Sequence, residues 1–179
     1  MKKIMTTPAK SQPTQRTDKH SLFTRIFHWV GALRIIVAFI SINGGDRDVS
    51  LHESIGASFF IWTVLRIINR FFVKAPPHPP MPKWQTAIAH LTHLGLYVAM
   101  LAMPITGMLM SMYGGRGVSV FGLFGLPSVV GIDRQMAKVM NGLHTGMVFY
   151  VLVFLVIAHV GGALYHQFVM KDDLMSVMK

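Results

Sequence analysis

The sequence predicts an all-α integral membrane four-helix bundle with both termini cytoplasmic. Three observations carry that prediction: four long apolar stretches, a scarcity of charge, and an uneven split of the basic residues among the polar breaks. Apolar residues make up 52% of the 179-residue chain and charged residues 13%, a charged share about half that of a soluble domain. Mean hydropathy is +0.48. The net charge of +10 does not argue for nucleic acid as a partner, because nucleic-acid binders carry their charge on a polar surface that this chain lacks. Cysteine is absent, which excludes disulfides, thiolate-bound metal centres and covalent haem attachment.

Taken in order, residues 1–20 are polar and basic and contain no apolar core. They read as a disordered cytoplasmic tail and not as a cleaved secretory signal. The first span covers 22–42, with Arg25 near its start and Arg34 inside it. A short outer loop, 43–50, leads to the second span, 53–73, which carries Arg66 and Arg70 in its last turns. The third and fourth spans, 86–112 and 139–170, contain no Lys, Arg, Asp or Glu. Each stretch reaches the roughly 20 residues that a helix needs to cross about 30 Å of hydrocarbon. A soluble bundle of buried helices is the competing reading, and the two charge-free stretches weigh against it. Together the spans form one membrane domain over 21–170, followed by a cytoplasmic tail at 171–179. A proline-rich run at 76–80 stiffens the inner loop, and a Gly-rich stretch at 114–131 forms the longer outer one.

Orientation follows from the basic residues. With the N-terminus inside, that side holds twelve: Lys2, Lys3, Lys10, Arg16, Lys19, Arg25, Arg66, Arg70, Lys74, Lys83, Lys171 and Lys179. The other side holds four, Arg47, Arg116, Arg134 and Lys138, with Arg34 inside the bilayer. Most of the charge is therefore a topology signal.

Histidine is costly inside a membrane, so each instance needs a partner and counts as a functional candidate. His28 lies just inside the inner end of span one, and His52 stands at the outer mouth of span two. His144 and His159 lie near the outer and inner ends of span four. Fifteen residues separate them, about 22 Å of rise with an angular offset of roughly 60°. One helix face thus presents two imidazoles at two depths. Pairing by depth sets His28 against His159 and His52 against His144. Two such pairs suit two non-covalent haems whose irons are held by neutral imidazoles from facing helices. Gly31, Gly56, Gly146, Gly161 and Gly162 lie close to these histidines and leave room for a flat ring. Histidines that merely bond a carbonyl of a neighbouring helix are the plain alternative. His90 and His93 form a His-x-x-His without a third ligand in sequence. His52-Glu53 opens like a zinc-protease motif, but its fifth position is Gly56. His20 and His78 lie in polar segments and are expected to be solvated.

The chain resembles the bacterial cytochrome b561 family of four-helix, di-haem membrane proteins. The matching pieces are Phe27-His28-Trp29, Leu51-His52-Glu53-Ser54-Ile55-Gly56 and Val64-Leu65-Arg66-Ile67-Ile68-Asn69-Arg70. They continue with Ala89-His90-Leu91-Thr92-His93-Leu94-Gly95-Leu96-Tyr97, Met103-Pro104-Ile105-Thr106-Gly107 and the outer segment 118–127. Gly142-Leu143-His144, His159, Ala163-Leu164-Tyr165-His166 and Lys171-Asp172-Asp173 complete the match, which runs from about residue 22 to the end.

The resemblance implies that His28, His52, His144 and His159 are the axial ligands of two haems b in the bacterial inner membrane. It also implies electron transfer between an outer-face donor and ubiquinone. Family members include a superoxide:ubiquinone oxidoreductase, so superoxide is a candidate donor, with Arg47, Arg116, Arg134 and Lys138 placed to steer an anion. His93 and His166, with Lys171, are candidates for the neighbourhood of the inner haem or of a quinone head group. A haem-bearing anchor or relay subunit of a larger dehydrogenase or hydrogenase is the alternative function, and a haem-free metal transporter a third. Two features depart from the family pattern. The span-four histidines are fifteen residues apart where the family places them fourteen apart. The extra residue turns a ring by about 100° unless a π-bulge absorbs it. The other departure is Arg34, which is left to pair with a haem propionate or a neighbouring helix.

Overall fold

The computed structural model describes residues 19–42, 45–74, 76 and 81–178, with the backbone alone described at 45–48. The tail expected at 1–20 lies outside the described residues as far as residue 18, as do His78, Lys179 and the side chain of Arg47. Four helices are long and apolar enough to cross a membrane: Leu22–Ile40, Val49–Phe72, Lys83–Tyr113 and Arg134–Met170.

Helix α1 (Leu22–Ile40) starts at Ser21, whose hydroxyl accepts the Thr24 amide and so satisfies one of the first turn's free donors. Helix α2 (Gly45–Phe72) begins eight residues before the expected second span. Its first turns are polar and extend past the apolar stretch, because hydropathy marks what hydrocarbon covers while a helix runs on wherever its backbone ladder continues. For the same reason α3 (Lys83–Tyr113) starts three residues before the span at 86–112 and ends one after it. Helix α4 (Arg134–Gly142) stands on the Asp133 N-cap, which accepts from the Gln135 and Met136 amides at 2.9 and 3.0 Å. It runs through a π-helical turn at Leu143–Val148 into α5 (Phe149–Tyr165) and a second π turn at His166–Met170.

Between α3 and α4 the Gly-rich stretch folds into an antiparallel hairpin of β1 (Val118–Val120) and β2 (Phe124–Leu126), which hydropathy gave no reason to expect. Its turn places Phe121 and Gly122 at φ 53° and 68°, closed by the Leu123 amide donating to the Val120 carbonyl at 3.0 Å. Glycine suits the second of these positions, and the first holds Phe121 in a region that side chains seldom adopt. Val118 and Val120 point inward and pack with Ala57 of α2 and Met112 of α3. Ser54 Oγ accepts the Phe121 amide at 2.8 Å and lies 3.2 Å from the Ser119 carbonyl, fixing the hairpin to α2.

The opposite end of the bundle holds both ends of the described chain. A 3₁₀ helix at Leu174–Met178 folds back so that the His20 amide donates to the Val177 carbonyl at 3.0 Å. Trp29 Nε1 donates to the Met178 carbonyl at 2.9 Å. The backbone at His20 is therefore tied to the C-terminal segment. These two ends are called the hairpin end and the termini end below. Helix α1 packs on α2, α2 on α3, and α3 on α4 and α5. A second apolar cluster, Phe59, Ala99, Met100 and Leu152, fills the middle. Large apolar side chains such as Phe71, Phe72, Phe154 and Ile157 face outward, as a lipid-facing surface requires.

Candidate haem site

Helices α1 and α5 are not among the closely packed neighbours, yet His28 of α1 and His159 of α5 face each other with ring centres 6.0 Å apart. At the hairpin end His52 of α2 and His144 of the π turn stand 5.9 Å apart. One metal held by a nitrogen of each ring at about 2 Å sets the ring centres about 6 Å apart. The structure thus brings together the four histidines that depth had paired, at two levels of one bundle.

At the hairpin end the backbone fixes which nitrogen is free. His52 Nδ1 lies 2.9 Å from the Ala38 carbonyl, and His144 Nδ1 lies 2.9 Å from the Met103 carbonyl. A carbonyl only accepts, so each Nδ1 carries the hydrogen and each Nε2 keeps its lone pair. Metal-binding histidines are commonly oriented in this way. Thr106 Oγ1 adds a contact to His144 Nδ1 at 3.3 Å, and Ser41 Oγ one to His52 Nδ1 at 3.4 Å. Pro104 sits inside α3, where it removes one helical donor.

The fifteen-residue interval has a visible cause. The π turn at Leu143–Val148 contains His144 and takes up one residue without the usual rotation. His144 therefore reaches His52 while His159 reaches His28.

A small, partly open cleft lies between His52, Glu53, Gly56, Ala57, Pro104, Gly107, Met108, Met110, Val118 and His144. Gly107 is essential to it, since a Cβ there would stand 2.9 Å from His144 Cε1. Gly56, Gly146, Gly161 and Gly162 have no atom within 4 Å of the Cβ position, leaving open space beside α2 and beside the π turn and α5 of the fourth span. Gly31 differs from the expectation, because Trp62 Nε1 already lies 3.6 Å from its Cβ position. Paired imidazoles, oriented lone pairs and empty glycine faces fit a haem b held without covalent attachment.

The termini-end pair has a different setting. Arg66 Nη2 lies 3.4 Å from His28 Nδ1, and the guanidinium sits over the Tyr97 ring at 5.8 Å. His93 stands 5.3 Å from His159, ring centre to ring centre, so it belongs to this site as a third imidazole. His166 pairs with Asp172, its Nδ1 2.6 Å from Oδ2, at the fold of the C-terminal segment. Arg34 donates to the Ser58 carbonyl at 2.9 Å and lies over Trp62 at 5.0 Å, so its partners here are on α2. Of the basic residues expected on the outer side, Arg116 pairs with Glu53 at 3.8 Å, while Arg134 and Lys138 lie exposed on α4.

Sequence reasoning missed Gly107, Thr106 and the Met103 carbonyl as parts of the site. A proline followed by Thr and Gly inside an apolar helix was the available signal. Arg66 was counted only for topology.

Residues 19–179 match the family model described as prokaryotic cytochrome b561. The chain is 29% identical over 178 residues to cytochrome b561 homolog 2 of Escherichia coli K12, covering 92% of this chain and 93% of the relative. It is 27% identical over 162 residues to cytochrome b561 homolog 1 of the same organism, covering 84% and 91%. A probable superoxide oxidase of Yersinia pestis is 26% identical over 164 residues, covering 87% and 92%. The chain belongs to the prokaryotic cytochrome b561 family and is a haem-binding, multi-pass electron-transfer protein of the bacterial inner membrane.

Proposed function

We propose that this protein is a di-haem cytochrome b that moves single electrons from a donor at the hairpin end to ubiquinone at the termini end. In this reading His52 and His144 hold one haem, His28 and His159 hold the other, and both termini face the cytoplasm. Superoxide is the donor proposed: two superoxide anions leave as dioxygen, and their two electrons, with two protons, convert ubiquinone to ubiquinol. The observation that carries the reading is the pair of imidazole couples at two depths of one bundle. When bound, haem supplies one-electron redox chemistry that no side chain here provides.

The protein's own groups do the rest. The Ala38 and Met103 carbonyls aim Nε2 of His52 and His144 into the cleft. Apolar side chains keep the sites at low dielectric, which strengthens the effect of every nearby charge. Arg134 and Lys138 present cations where an anion would approach, and steering of this kind weakens with salt.

Two measurements test the proposal. Haem quantification with a reduced-minus-oxidised spectrum is expected to give two haems b per chain, and one or none overturns the di-haem reading. Purified protein given superoxide and ubiquinone is expected to turn over alone. Inertness without a partner chain overturns the superoxide reading and favours a relay subunit.

A further inference from the structure

The hairpin carries a surface that electron transfer does not explain. Residues 121–129 are all exposed, and Phe121, Leu123, Phe124 and Val129 among them are large and apolar. Leu123 and Val129 are about four-fifths exposed. A water-facing loop with this much contiguous apolar surface is unusual for a soluble face and marks a contact.

The position of the hairpin identifies the contact. The Phe121 amide is bonded to Ser54 Oγ, and Ser54 lies nine residues into α2 (Gly45–Phe72) and two past His52, about 14 Å from the start of the helix. Val118, at the other end of β1, packs against Ala57, deeper still. The hairpin therefore lies beside the helices at the level of His52 and does not sit on top of them. Its apolar tip continues the outward-facing apolar surface of the spans. On α4, which follows the hairpin in the chain, Arg134 and Lys138 are exposed four residues apart, on one helix face. An exposed apolar tip on the same end of the bundle as two exposed cations matches the boundary between acyl chains and lipid phosphates. The unpaired edge of β2 agrees with the same depth, since headgroups and water there satisfy backbone groups that hydrocarbon cannot.

We infer that the hairpin at Val118–Leu126 is an interfacial anchor that inserts Phe121, Leu123 and Phe124 into the phospholipid leaflet at the hairpin end. Anchored there, it holds Val118 in place as a wall of the cleft beside His52 and His144. The inference stands on the position of the hairpin and does not depend on which donor is used.

The chain has no cysteine, so single thiols report cleanly. Leu123→Cys and Val129→Cys are each labelled with a nitroxide in the full haem-loaded protein. The protein is then placed in vesicles of phosphatidylethanolamine and phosphatidylglycerol. Collisions with oxygen, which concentrates in the bilayer, are compared with collisions with a water-soluble nickel chelate. Val151→Cys gives the bilayer reference and Gln135→Cys the aqueous one. The expected result is an oxygen-to-nickel ratio at 123 and 129 several-fold above that at 135 and approaching that at 151. A ratio equal to that at 135 overturns the inference and leaves the tip to a soluble partner. Spin–spin broadening that disappears on dilution with unlabelled protein also overturns it, in favour of a second copy of the chain.

Discussion

Gly107→Ala tests the hairpin-end site with one methyl group. The added Cβ would stand 2.9 Å from His144 Cε1, 3.2 Å from Nδ1 and 3.5 Å from Nε2. The ring must retreat by about 0.5 Å to reach the 3.4 Å at which ordinary contact begins. It is not free to do so, because its Nδ1–H is held by the Met103 carbonyl at 2.9 Å on the same helix. Retreat lengthens that bond and turns Nε2 away from His52. Disturbing the groups that orient a metal-binding histidine typically costs 10–100-fold in affinity, about 1.4–2.7 kcal/mol. The helix itself gains, since alanine is favoured over glycine in a helix interior by roughly 0.5–1 kcal/mol. Gly107→Ala is thus expected to keep its fold while binding the hairpin-end haem 10–100-fold more weakly. The termini-end haem is unaffected. Haem per protein by pyridine haemochrome, after gel filtration at limiting haem, reads the loss. Gly95→Ala is the control: its Cβ meets Leu155 Cδ1 at 3.1 Å, the end of a flexible side chain that can turn aside. Two tightly held haems in Gly107→Ala, or equal losses in both variants, would refute the reasoning.

Single replacement of His28, His52, His144 or His159 by Ala is expected to remove about one haem each, while His93→Ala keeps both; pyridine haemochrome counts them. Arg134→Glu with Lys138→Glu is expected to slow superoxide-dependent ubiquinone reduction, and the difference from the parent protein is expected to shrink as salt rises. Unchanged rates at low salt count against steering. In a potentiometric titration Glu53→Gln is expected to raise the potential of the hairpin-end haem. Arg66→Gln is expected to lower that of the termini-end haem, and Arg66→Lys to restore much of it.

The parts of this fold that lipid dictates were legible in the sequence, because hydrocarbon imposes its demand residue by residue. Two charge-free stretches and a sparse scatter of arginines were enough to count four membrane-capable helices. Helix ends were not legible, since nothing in hydropathy stops α2 from extending out to Gly45. The hairpin was hidden for a different reason. Its strands have three residues each, too short for alternation to register, and its place is set by one serine of α2 and by packing against Ala57 and Met112. Depth alone sorted the histidines into pairs. The carbonyls that orient two of them leave no mark in side-chain identity, so Ala38 and Met103 looked like any other apolar positions. The fifteen-residue interval was legible as an anomaly, and only the backbone reveals the π turn that resolves it.

The two ends of the bundle differ in charge in a way that bears on direction. Glu53 lines the hairpin-end cleft, with its carboxylate held by Ser111 Oγ at 3.1 Å. Its cationic partner, Arg116, is largely exposed and therefore screened by solvent. At the termini end the Arg66 guanidinium lies 3.4 Å from His28 Nδ1. Oxidation of a bound metal adds positive charge, so a nearby carboxylate favours the oxidised state and a nearby guanidinium opposes it. Both effects are strongest where dielectric is low. With a haem at each proposed site, the carboxylate lowers the potential at one end and the guanidinium raises it at the other. In the proposed di-haem reading, an electron that enters beside Glu53 therefore runs downhill toward Arg66, away from the hairpin and toward the end where the chain termini meet. In that reading the same arginine that counts toward orientation in the basic-residue tally also biases the direction of transfer.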